Sequence, residues 1–387
     1  MLARYGLDHD GKRGLRVILY GVLGDAEGRP VAVQVYPGNT AESLTVPEQS
    51  LKLRDSFGLS RIVLVGDRGM LTQTQIDHLR SHPGLGWISA LRSVAIKGLI
   101  ERGRLERSLF DEQNLAEIHA PEFPGERLIA CYNPLLAEER RRKRKELLEA
   151  TEKGLGRVAR QVQRRRRQPL KASQIGLKAG RVVQRFKVAK HFRLEIADGV
   201  LRFERDAQGI AREEVLDGIY VIRTSEAAQG LSAAQTVRAY KGLAQIERAF
   251  RCLKGEDLRI RPIYLRTEAH VRAHVFMCLL GYYAEWHMRR ALAPLLFEDE
   301  ELPRTRSSRD PVAPPVASES AQTKKAGKRT PEGEWVHSFT SLLEEMATLC
   351  RNTCRLESAS ADQTSERFTM LTEPTPFQRR VFSLLGV

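Results

Sequence analysis

Apolar runs and polar punctuation divide the chain into a series of predicted elements. LRVILYGVL (15–23) and VAVQVY (31–36) flank the turn sequence DAEGRP and predict an antiparallel hairpin. Thr40, in PGNTAES, is the expected N-cap of a helix ending near Leu53. RIVLV (61–65) is wholly apolar and bounded by Gly66, which predicts a strand buried on both faces. Thr72 with Gln75 then opens a helix. GWISALR (86–92) and DGIYVIRT (217–224) are two further strands. Between them, Asn133 as N-cap and Pro134 at the first position start a helix through LLAEERRRKRKELLEATEKG, and 180–196 leans towards β structure. Ser232 with Gln235 forms a capping box, so a helix is expected over 232–254. Its Leu243, Ile246, Phe250 and Leu253 make an apolar face. Tyr240, Glu247 and Lys254 share a separate stripe, because a spacing of seven nearly closes on a helix. A long apolar helix over 268–296 and a short one over 338–354 follow.

Charge adds a second layer to this pattern. The 387 residues include 63 Lys and Arg against 48 Asp and Glu, a net charge of +15. Segment 138–193 holds 20 basic and 5 acidic residues, so it accounts for the whole excess. A basic surface concentrated in this way points to a polyanionic partner, although charge runs also mark solvated faces. Arg164, Arg165, Arg166, Arg167, Lys187 and Lys190 are the candidate DNA contacts. Phe186 and Phe192 are too few for a base-stacking platform. The five cysteines show neither a disulfide framework nor paired metal spacing, which favours reduced thiols and a cytoplasmic location. The longest apolar run, VFMCLLGYYA (275–284), is too short to span a membrane. His270 and His274 stand at i,i+4 without the glutamate of a zinc-protease motif, which favours core or surface roles.

Two carboxylates stand out, each with a plain alternative. Asp67 follows the carboxyl end of the 61–65 strand, where open α/β sheets place ligands, but it could equally be a turn aspartate before glycine. Glu247 sits at the rim of an apolar helix face and could point into a cleft or pair with Arg251 at i,i+4.

Taken in order, YGVLGDAEGRPVAVQVYPGNTAE, LVGDRGM, DGIYVIRT, YKGLAQIERAFRCLK and the tail TPFQRRVFSLLGV resemble bacterial insertion-sequence transposases. The group resembled is the cut-and-paste DDE type with a Tyr-Arg-Glu-Lys signature helix. The resemblance implies an α/β, RNase H-like core with a mixed sheet, interrupted by a large basic insertion. It places Asp67 at the second acidic position, Glu247 at the third, and Tyr240 and Lys254 at the signature tyrosine and lysine. Leu243 stands where the signature arginine is expected. Arg248 and Arg251 are candidate substitutes, although helical spacing puts them away from that side. No residue matches the first acidic position: Asp8 and Asp10 lie in a polar loop and Asp25 in a turn. The chain is therefore expected to lack the first strand, its aspartate and the amino-terminal DNA-binding region.

The implied domains are a first part of the core (1–92), an insertion (93–215), a second part of the core (216–297), a disordered linker (298–335) and a helical tail (336–387). The implied reaction is in-line strand cleavage and transfer, with Mg²⁺ or Mn²⁺ ions about 3.5–4 Å apart held by three carboxylates. Asp67 and Glu247 would be two of these metal ligands, while Lys254 and Arg251 would meet the DNA backbone. The implied partner is double-stranded DNA, at element ends and target, with a homodimer compatible and a nucleoid-associated bacterial location. The other class of function is a non-catalytic DNA-binding remnant that modulates a complete transposase.

Overall fold

The computed structural model describes residues 2–6, 14–165, 167–255, 258–302, 309–314, 316–355 and 367–387. Asp8, Asp10 and Arg166 lie outside them. The chain is a mixed α/β protein that divides into two units. The first comprises residues 1–41, 241–309 and 314–387; the second comprises 42–240 and 310–313.

In the first unit β1 (Arg4–Tyr5), β2 (Arg16–Gly24) and β3 (Pro30–Pro37) form an antiparallel sheet, in that order. The expected hairpin is β2–β3. Its Asp25 Oδ1 accepts hydrogen bonds from the amides of Glu27 and Arg29, which fixes the turn.

The second unit is built on a five-stranded sheet. After α1 (Val46–Asp55) come β4 (Ile62–Val65), α2 (Gln73–Arg80), β5 (Leu85–Ala90) and α3 (Ser93–Glu101). Helix α1 starts later than Thr40 predicts, because a short 3₁₀ turn over Glu42–Thr45 precedes it. Strands β6 (Leu115–Ile118) and β7 (Arg127–Tyr132) follow. Pairing is parallel between β4 and β5 and antiparallel elsewhere, in the order β4-β5-β10-β7-β6, where β10 is Ile219–Thr224. Period-2 alternation places Leu128, Ala130 and Val221 in a core with α3. It places Ile129, Cys131 and Ile222 in a second core, against Val237 of α7 (Ala233–Lys241).

The prediction for 61–65 is corrected here. β4 is an edge strand, paired among the described residues to β5 alone, and three of its four residues are half-buried. An apolar composition shows that both faces of a strand can be covered, but it does not show how many neighbours the strand has.

Residues 133–217 carry a basic helical module. Asn133 accepts the amide of Leu136 at 3.1 Å and opens α4 (Pro134–Arg164), which runs well beyond the predicted stretch. α5 (Ala172–Phe186) replaces the β structure expected over 180–186, whereas 192–196 of the same segment do form a strand. Ile175, Ala179 and Val183 recur every four residues and bury one helical face, so packing overrides the β preference of the paired valines. The two helices meet at Gly154, where an added Cβ would lie 2.6 Å from a Val182 methyl. The β8–β9 hairpin (Phe192–Ala197 and Val200–Arg205) and α6 (Ala207–Glu214) complete the module.

The helix expected over 232–254 is broken at Gly242 into α7 and α8 (Leu243–Lys254), consistent with the low helix propensity of glycine. Ser232 and Gln235 do exchange both capping hydrogen bonds. α9 (Glu268–Ala291) follows. Within 298–335, where composition predicts a linker, α10 (Glu319–Gly327) buries Ala321 and Lys324. The Lys324 ammonium is bonded to the Ala293 carbonyl at 3.0 Å and paired with Glu300. The short helix expected over 338–354 is α11 (Phe339–Met346), followed by a hairpin of β11 (Arg351–Arg355) and β12 (Arg367–Leu371). The tail folds as α12 (Pro376–Leu385) behind a Thr375–Gln378 capping box. No described helix is long and apolar enough to cross a membrane.

An apolar edge strand invites pairing with other chains. The purified chain is expected to lose soluble monomer on concentration and to melt below about 45 °C, at the low end of mesophilic domains. A cooperative, reversible melt above about 65 °C in scanning calorimetry contradicts this.

Candidate active site and nucleic-acid surface

Asp67 belongs to the second unit and is exposed in the loop after β4. Gly66 precedes it, and an added Cβ there would meet Leu71 at 2.8 Å. The carboxylate organises its own loop. Oδ1 accepts the amides of Gly69 at 2.9 Å and Met70 at 2.7 Å, while Oδ2 accepts no hydrogen bond among the described residues. One oxygen therefore serves the turn and the other is available to a ligand, so the two sequence readings of Asp67 are compatible.

Glu247 belongs to the first unit, on α8, and is exposed. Ala249 and Leu253 anchor this helix in a core with Val35 of β3 and with Val271, Val275 and Tyr282 of α9. The β2–β3 turn closes against the first turn of α8. Gly28 has φ +80 and leaves only 2.4 Å between an added Cβ and Gln245 Cβ. This seat fixes the rotation of α8 and turns Glu247 outwards. Among the described residues Glu247 makes no ion pair with Arg251. Lys254 is exposed on the last turn of the same helix. Tyr240 lies across the break at Gly242, on α7 in the second unit, half-buried against the core of the five-stranded sheet. The single stripe expected to hold all three residues is thus interrupted.

Beside this helix the structure shows an arginine cluster that sequence spacing did not reveal. Arg248 donates to Glu298 at 2.7 Å, and Arg289 donates to Glu285 at 2.6 Å and Glu298 at 3.3 Å. Burial pulls the Arg248 pKa down, but Glu298, with smaller contributions from Cys252 and Tyr282, holds it above the ordinary guanidinium value. Burial, reinforced by Glu285, pushes the Cys252 thiol up.

The basic module sorts its charges. Arg144 is buried and paired with Asp217 at 2.5 Å, so it serves the fold. Lys190 pairs with Glu213 at 2.9 Å. Arg157, Arg160 and Arg164 recur along one exposed face of α4 and, with Gln161 and Arg165, line a cleft of about 280 Å³. None of these four arginines has an ion-pair partner among the described residues. Arg167 and Lys187 are exposed nearby in sequence. Arg157 and Arg160 were not singled out by the sequence; helical spacing from Arg164 is the signal that would have found them.

The family model described as Transposase DDE domain matches residues 5–283. The chain belongs to the DDE transposase family. Neither the curated proteins nor the solved structures gave a match. Members of this family carry an RNase H-like fold and use divalent metals, and the mixed sheet of this transposase chain agrees in class. The donors suit such an ion in kind: Asp67 and Glu247 offer hard carboxylate oxygens. Among the described residues no group of three or more His, Cys, Asp or Glu forms a metal cluster.

The turn contacts of Asp67 give a graded expectation. Asp67→Asn keeps an oxygen acceptor and should leave the melting temperature nearly unchanged. Asp67→Ala removes the acceptor for two amides and should cost about 1 kcal/mol. Thermal unfolding of the two variants checks this.

Proposed function

We propose that this protein is a DNA transposase of an insertion sequence, a family whose reaction is metal-dependent strand cleavage and transfer. The observation that carries the reading is the family match together with an exposed, unpaired Glu247 on a helix whose rotation is fixed by packing. Asp67 and Glu247 would hold a divalent cation, which when bound supplies charge neutralisation at phosphorus and activation of the attacking oxygen. Lys254, the residue after the core-anchored Leu253, would meet a backbone phosphate as a point charge. Tyr240 would act by packing against the core of the five-stranded sheet. Arg164, Arg165 and Arg167, joined by Arg157 and Arg160, would track the duplex, with Lys187 and Lys190 at the margin. Arg166 belongs to the same run.

Three carboxylates are needed where one must bridge two ions, and residues 1–387 offer two in family register. We therefore assign residues 1–387, taken alone, DNA binding without strand cleavage. Purified chain incubated with supercoiled plasmid and Mg²⁺ or Mn²⁺ should leave the plasmid intact. Metal-dependent nicking that exceeds that of a Glu247→Gln control contradicts this.

The unpaired arginines of α4 favour a second reading, in which the chain acts as a DNA-binding modulator of a complete transposase. Both readings require the α4 surface. Arg157, Arg160, Arg164 and Arg165 changed together to Ala should lower the salt slope of duplex binding by about 3–4, at about 0.9 per phosphate contact. Binding titrations between about 50 and 200 mM salt measure this. An unchanged slope removes the α4 surface from the DNA interface.

A further inference from the structure

α8 and α9 flank an open pocket of about 410 Å³ lined by Arg248, Arg251, Cys252, Gly255, Glu285 and Arg289. Three guanidinium groups on so small a surface are costly unless anions answer them. The chain supplies two. Glu285 is buried and held by Arg289, so it belongs to the wall. Glu298 differs: it comes from the segment after α9, its side chain remains 27% accessible, and its Oε1 bridges Arg248 and Arg289. Arg251 has no ion-pair partner among the described residues. The pocket therefore keeps one unanswered positive charge with Glu298 in place and two without it.

A carboxylate oxygen bridging two arginines is what a phosphodiester oxygen would also do, with the same unit charge and similar donor geometry. We propose that this pocket is a phosphodiester site for one backbone phosphate of DNA, in which Glu298 is an internal stand-in that the phosphate displaces. The proposal rests on the reading of this chain as a DNA-handling protein. It also supplies guanidinium groups beside a signature helix that carries Leu243 where the arginine is expected. They stand on the other side of the helix, and one of them comes from α9. Glu298 thereby holds the site closed against weak or misplaced anions, and only a phosphate delivered by a bound duplex competes for both arginines.

The test uses the full chain and a 30-bp duplex at about 100 mM salt, with the alanine variant of the four α4 arginines as reference. Glu298→Gln keeps the shape and an oxygen acceptor but removes the competing charge. It should tighten duplex binding about three- to tenfold, and adding Arg251→Ala should reverse much of the gain. Cys252 lines the pocket, so saturating duplex should also slow its maleimide labelling, with exposed Cys350 as the unprotected reference. A purely structural Glu298 predicts unchanged or weaker binding by Glu298→Gln. That result, or unchanged Cys252 labelling under saturating duplex, overturns the proposal while leaving DNA binding through α4 intact. Absence of duplex binding by the wild-type chain at every salt concentration overturns both the proposal and the reading beneath it.

Discussion

The packing of α8 is the constraint on which the candidate chemistry depends. Ala249 and Leu253 are driven into an apolar core with β3 and α9, and the Gly28 turn packs closely against Gln245 in the helix's first turn. Everything on the outward side of α8 follows from that inward anchoring. Glu247 and Lys254 face solvent without protein partners, while Arg248, on another side, is drawn to Glu298. A carboxylate and an ammonium held apart on a rigid helix suit a ligand with both a cation and a phosphate.

Charge is distributed by the same logic. The excess of +15 lies in one segment, but the fold decides which of those residues face solvent unpaired. Arg144 is spent inside the module against Asp217, whereas Arg157, Arg160, Arg164 and Arg165 stand together at the far end of α4. The second group is open to a polyanion, and the first is not. Counting basic residues thus locates the surface to within a segment, and packing narrows it to one helix face.

What was legible in the sequence was mostly local chemistry. Asn133-Pro134 and the Ser232–Gln235 box announced helix starts because caps involve residues three apart. The ordered motifs placed the chain in its family. What was missed depended on distant partners. β4 read as buried on both faces because Ile62–Val65 are apolar, yet it is a half-buried edge strand, and β10, more than 150 residues later, takes the sheet onward from β5. α5 looked extended until Ile175, Ala179 and Val183 found a common core with α4 and β8. The Arg248–Glu298–Arg289 bridge joins residues 50 and 9 positions apart, beyond any local pattern. Gly242, in turn, was the one local signal in the 232–254 stretch that the helical periodicity obscured.

The central claim is that Asp67 and Glu247 are metal-binding carboxylates, and direct titration of Mn²⁺ tests it without requiring catalysis. Electron paramagnetic resonance of free Mn²⁺ over the wild-type chain should show a weak saturable site. Asp67→Asn and Glu247→Gln, with unchanged melts, should each weaken that site about tenfold or more. Equal Mn²⁺ binding by the wild type and both variants would contradict the account.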